Sequence, residues 1–74
     1  MPLVDIHVIE GVFSPEQKKD MIARITDTMV GIEGENLRGV TWVRVLEVAS
    51  GAWGIGGQAL TAADVQAIQG GTAG

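Results

Sequence analysis

Pro2 carries the most unusual chemistry available to this chain. It directly follows Met1, and a small second residue is the context in which the initiator is commonly removed. Removal would leave a secondary amine at the start of the chain. A free α-amino group titrates near pH ~8. A proline amine is intrinsically more basic, and burial against apolar groups or a nearby cation lowers that value towards neutrality. An amine poised near the working pH can take a proton α to a carbonyl and return it elsewhere. The plainer reading is that Pro2 only begins an edge strand, where its missing N–H costs nothing. On the residues alone both readings stand.

The other reactive side chains offer less. His7 is the one histidine, and no carboxylate–histidine spacing accompanies it, so a structural role is expected; Asp5, on the same strand face, is weighted likewise. With no cysteine, disulfides and thiolate metal sites are excluded, and a single histidine makes a histidine cluster equally improbable. Met21 and Met29 read as core filler, and Lys18 and Lys19 as a solvated helix face. The glycine-dense stretch Ser50–Gly57 lacks the Gly-Lys-Ser/Thr of a phosphate loop and the dinucleotide spacing. No metal or organic cofactor is expected.

The elements that must position Pro2 can be read from periodicity. Residues 3–9 form a strand: Val4, Ile6 and Val8 alternate with Leu3, Asp5, His7 and Ile9. Ser14-Pro15-Glu16-Gln17 opens a helix, with Ser14 as cap, Pro15 in the first turn and Gln17 as capping-box partner. Met21, Ile22, Ile25, Met29 and Ile32 make its apolar stripe, and Gly31 and Gly34 mark its end. Residues 35–38 are a linking turn or a single helical turn. A second strand runs from Val40 to Val48, with Val43 and Val45 on one face and Trp42, Arg44 and Leu46 on the other. Strand, long helix, strand implies a parallel pair joined by a right-handed crossover. The face bearing Trp42 and Arg44 has nothing obvious to cover it, so it should be an interface or a site. Ser50–Gly57 suits a turn and hairpin. Thr61 caps a second, weaker helix through Gln69, with Asp64 near its N-terminus.

Bulk properties narrow the classes further. The 74 residues allow one domain, expected over residues 1–69 with a flexible tail at 70–74. So short a chain leaves much apolar surface uncovered, yet 46% of its residues are hydrophobic, and self-association is the natural remedy. Nine acids against five bases give a net charge of −4 with no basic cluster, which argues against nucleic acid and anionic membrane. No apolar stretch approaches the ~20 residues of a membrane span, and the start lacks a signal-peptide pattern. A cytoplasmic protein is expected.

Taken together, Pro2, the strand Ile6–Gly11 (IHVIEG), the helix start Ser14–Lys18 (SPEQK) and the segment Trp53–Gly57 (WGIGG) resemble the 4-oxalocrotonate tautomerase family. The match runs from Pro2 through Leu60, and its parts are specific in this order and spacing. The resemblance implies an α+β fold: a βαβ subunit with a parallel strand pair, crossover helix and C-terminal hairpin, assembled into an oligomer. A hexamer is the family arrangement; a homo-oligomer is expected and a hetero-oligomer stays open. It also implies a tautomerase in which the Pro2 amine is general base and acid on an enol or α-keto carboxylic acid.

The family's substrate-binding residues carry over unevenly. An arginine expected after Glu10-Gly11 is replaced by Val12, followed by Phe13 and one extra residue, which disfavours a dicarboxylate substrate. Counting back from Trp53 without gaps puts Trp42 in the register of a second family arginine, with Arg44 two residues later on the same face. Arg44 can grip a substrate carboxylate from there, or instead make an ion pair at a subunit interface. Trp53 corresponds to an aromatic that lines the site and keeps the proline amine at low pKa, and Trp42 either walls the pocket or packs between subunits. The pocket is expected between subunits. Hydration or dehalogenation of an unsaturated acid, and a non-catalytic subunit or binding module, are the alternatives.

Overall fold

The computed structural model describes residues 2–70. Met1 and residues 71–74, which hold most of the expected tail, lie outside them. The elements in order are β1 (Leu3–Ile9), α1 (Pro15–Glu33), a 3-10 segment (Glu35–Val40), β2 (Trp42–Val48), β3 (Trp53–Ile55), β4 (Gln58–Leu60) and α2 (Ala62–Gln69). β1 and β2 form one two-stranded sheet, β3 and β4 another. At one end of the first sheet the Trp42 N–H donates to the Pro2 carbonyl at 3.0 Å; at the other, the Glu10 N–H donates to the Val48 carbonyl at 2.7 Å. Start meets start and end meets end, so the pair is parallel and the α1 connection is its crossover. This is the βαβ arrangement with a following hairpin.

The chain divides into two compact units. The first comprises the residues through Ile6 together with Ser14–Leu46. Its helix begins where the capping box predicts: the Gln17 N–H donates to Ser14 Oγ at 3.1 Å, and the Ser14 N–H donates to Gln17 Oε1 at 2.8 Å. The covered positions of α1, among them Met21, Ile25, Met29 and the buried Val30, step by three and four. Two members of the expected stripe, Ile22 and Ile32, are exposed, although the same helix is covered at Thr26, Val30 and Glu33. The helix also passes through Gly31 and stops at Gly34, whose N–H returns to the Val30 carbonyl at 2.8 Å. A 3-10 segment then holds Val40 out of β2, since the Thr41 hydroxyl donates to the Leu37 carbonyl at 2.8 Å and also reaches Glu33. On the strands Val4, Ile6, Val43 and Val45 are half-buried, and Leu3, Asp5, Trp42 and Arg44 are exposed.

The second unit comprises His7–Phe13 and the chain from Glu47 onward. Its core is Val8 and Ile9, both buried. β3 and β4 pair antiparallel with Trp53 opposite Leu60 and Ile55 opposite Gln58, so Gly56-Gly57 is a two-residue turn. Both glycines have positive φ, 58° and 83°, which is what a hairpin turn matched to strand twist demands. Thr61 and Asp64 cap α2 reciprocally at 3.2 and 2.9 Å. Ser50 Oγ accepts from the Ala62 N–H at 2.9 Å, and Gln66 Nε2 donates to the Gly11 carbonyl at 2.9 Å, tying α2 into its unit.

Candidate active site

In the first unit the sheet's start gathers three of the residues singled out by sequence. Pro2 is half-buried, and its carbonyl is held by the Trp42 N–H. The bond uses the carbonyl and leaves the nitrogen uncommitted to the ladder. Trp42 exposes 55% of its surface and Leu3 53%, so the uncovered sheet face expected from the alternation is present and partly apolar. Arg44 lies two residues along β2 on that face.

Arg44 is engaged. Its Nε donates to Asp5 Oδ1 at 2.8 Å and its Nη2 to Asp5 Oδ2 at 2.9 Å, a side-on bidentate pair between facing strands. These hydrogen bonds, with the Coulomb attraction of the Asp5 carboxylate, raise the Arg44 pKa above its ordinary value. The side chains remain 51% and 30% exposed, so solvent screens the pair. Sequence reasoning put Asp5 on the mixed face of β1 and Arg44 on the uncovered face of β2 but did not join them. The pairing becomes legible only once strand register is known.

Trp53 belongs to the second unit. There it is half-buried and lines a cavity of about 390 Å³ together with His7, Phe13, Leu60, Val65 and Ile68, among others. The wall is almost wholly apolar, with His7 its one titratable side chain. Val12, noted as the missing arginine, also lines it. Phe13, Leu60, Val65 and Ile68 escaped sequence analysis because they come from a loop, from β4 and from α2, and no single period joins those three stretches. Among the described residues no cluster of three or more His, Cys, Asp or Glu could hold a metal. No helix there is long and apolar enough to cross a membrane.

Fold and site together define a class: a small βαβ subunit with a proline heading its first strand. Comparison with known proteins specifies it. The model of the family described as "Tautomerase enzyme" matches residues 2–63. A curated relative, "Probable tautomerase K2" of Dickeya dadantii (strain 3937), is 39% identical over 61 residues, covering 82% of this chain and 90% of that protein. A solved structure titled "Crystal structure of apo unFused 4-OT" superposes with a TM-score of 0.70 at 28% identity, over 80% of this chain and 93% of that one. The chain belongs to the tautomerase enzyme family, and isomerisation is its class of chemistry.

Proposed function

We propose that this chain catalyses keto–enol tautomerisation of an α-keto carboxylic acid, with the Pro2 amine, freed by removal of Met1, as base and then acid. The neutral nitrogen accepts the proton of the enol hydroxyl. The electrons of that O–H bond form the carbonyl, and the carbon–carbon π pair takes the proton back from the prolinium at carbon. The amine returns to its starting state and the substrate leaves as its isomer. Arg44 holds the carboxylate and draws electron density towards it. Trp42 supplies an apolar wall beside Pro2. Trp53 carries the role of keeping the amine dry on the family resemblance, and its position in an apolar cavity wall suits a desolvating residue.

The observation that carries this reading is the Trp42 N–H bond to the Pro2 carbonyl, which fixes the ring at the head of a half-open face two residues from Arg44. Exposed Leu3, Trp42, Ile32, Ile55 and Ile68 support self-association into a homo-oligomer, and the family resemblance makes a hexamer its size. The test combines the intact mass of the purified protein with an ultraviolet assay of enol-to-keto conversion. Loss of Met1 and a rate that falls in Pro2→Ala are expected. A rate unchanged by that substitution removes Pro2 from the mechanism.

A further inference from the structure

We infer that Asp5 is a positioning and specificity residue that presents Arg44 end-on and selects against a second carboxylate on the substrate. The inference rests on the reading of Arg44 as the carboxylate clamp. A guanidinium has five N–H donors in a planar fork. Asp5 takes the Nε donor and one on Nη2, at 2.8 and 2.9 Å. The remaining Nη2 donor and the Nη1 donor beside it form the end-on edge, which can still grip one carboxylate with two parallel bonds. Two anchored bonds fix the plane of that edge relative to β1 and β2, so the long side chain need not be ordered when ligand arrives.

The Asp5 carboxylate also offsets the charge of the guanidinium it holds. A substrate bearing one carboxylate meets an oriented donor edge beside a net-neutral pair. A substrate bearing two brings its second charge near the Asp5 carboxylate. Because both side chains are partly exposed, the repulsion acts through a high dielectric and is worth about threefold to tenfold in relative kcat/KM. The site therefore prefers a monocarboxylate, and Asp5 is the reason that can be tested by one substitution.

The probes are the enol of phenylpyruvate, with one carboxylate, and the enol of oxaloacetate, with two. Their ketonisation is followed by ultraviolet absorbance in the wild-type oligomer and in Asp5→Asn, Asp5→Ser and Asp5→Glu. Neutral substitution is expected to raise the oxaloacetate-to-phenylpyruvate ratio of kcat/KM about threefold to tenfold, through KM for the dicarboxylate. In Asp5→Glu, which restores the charge, the ratio should return towards wild type. A residue serving only stability would lower both activities together and leave the ratio alone. Asp5→Ser, the smaller side chain, decides the matter should Asp5→Asn fail to fold. A ratio unchanged in the neutral variants, while Arg44→Ala raises KM for both acids, overturns this inference and spares the clamp. An Arg44→Ala protein with unaltered KM for both overturns the clamp itself.

Discussion

Inserting a bulky residue between Met1 and Pro2 blocks initiator removal and converts the Pro2 nitrogen into an amide. The structure makes this a clean perturbation, because the bond anchoring Pro2 joins its carbonyl to the Trp42 N–H at 3.0 Å and makes no use of the nitrogen. Strand pairing should survive while the base is lost. General base catalysis is worth about 10²–10⁴ in rate. At ~1.36 kcal/mol per decade, the insertion should add roughly 3–5 kcal/mol to the barrier. Pro2→Ala is a milder change, since an amine remains but is primary and intrinsically less basic than that of proline. It should lose about tenfold and recover none of it as pH rises above 7, because surroundings that bring the proline amine towards neutrality hold the weaker amine lower still, already as free base. The assay is ketonisation of an α-keto acid enol across pH 6–9, with circular dichroism and sedimentation as controls for fold and assembly. A folded, assembled insertion variant keeping more than about a tenth of wild-type kcat/KM would refute the base assignment, because no amide nitrogen can supply that term.

Three further substitutions test the frame that holds the site. Ser14→Ala removes one half of the α1 capping box and should cost about 1 kcal/mol, read as a fall of roughly 4–8 °C in Tm for a domain of this size. Gly11→Ala forces a side chain onto a φ of +88°, with its new Cβ 3.5 Å from that of Ala62, and should cost about 1–2 kcal/mol in thermal melts of the second unit's probe Trp53. Glu35 accepts from Arg38 Nε at 2.6 Å, and that hydrogen bond holds its carboxyl below the ordinary carboxylate range. A lowered folded-state pKa contributes stability that is present above the unfolded value and disappears as pH falls through the folded one. Glu35→Gln should therefore lower Tm slightly at neutral pH and not at strongly acid pH; an equal deficit at both would assign the effect to packing.

Local signals made most of the fold legible. The alternation of β-branched residues gives β1 its bounds, and Ser14, Pro15 and Gln17 together fix the start of α1, because the Ser14 and Gln17 side chains each satisfy an N–H of the first turn and Pro15 removes another. Periodicity misjudged features decided elsewhere in the chain. Val40 favours a strand by type, yet the Thr41 hydroxyl bonds to Leu37 and Glu33 draw the chain into a 3-10 segment instead. Gly31 reads as a stop but is an exposed helical position with nothing within 4 Å of where a Cβ would stand, so it costs about 1 kcal/mol without ending the helix. Ile9, on the mixed face of β1, is buried because its own unit covers it, which no alternation along β1 alone could signal.

The candidate site depends on one quantity that sequence does not display, the register of β1 against β2. The register that carries the Trp42 N–H to the Pro2 carbonyl also sets Asp5, 39 residues before Arg44, across from it on the same face. A slip of one residue would turn Arg44 and Trp42 to the covered side and bring Val43 and Val45 into the open. A slip of two would keep the faces but part Arg44 from Asp5 and move Trp42 away from Pro2. The apolar alternation of Val4, Ile6, Val43 and Val45 resists the first error. It is indifferent to the second, which the Asp5–Arg44 pair opposes. An exposed ion pair of small energetic worth can thus matter to function through what it aligns, here the guanidinium of Arg44 across the strand offset that the Trp42 N–H bond to the Pro2 carbonyl already holds.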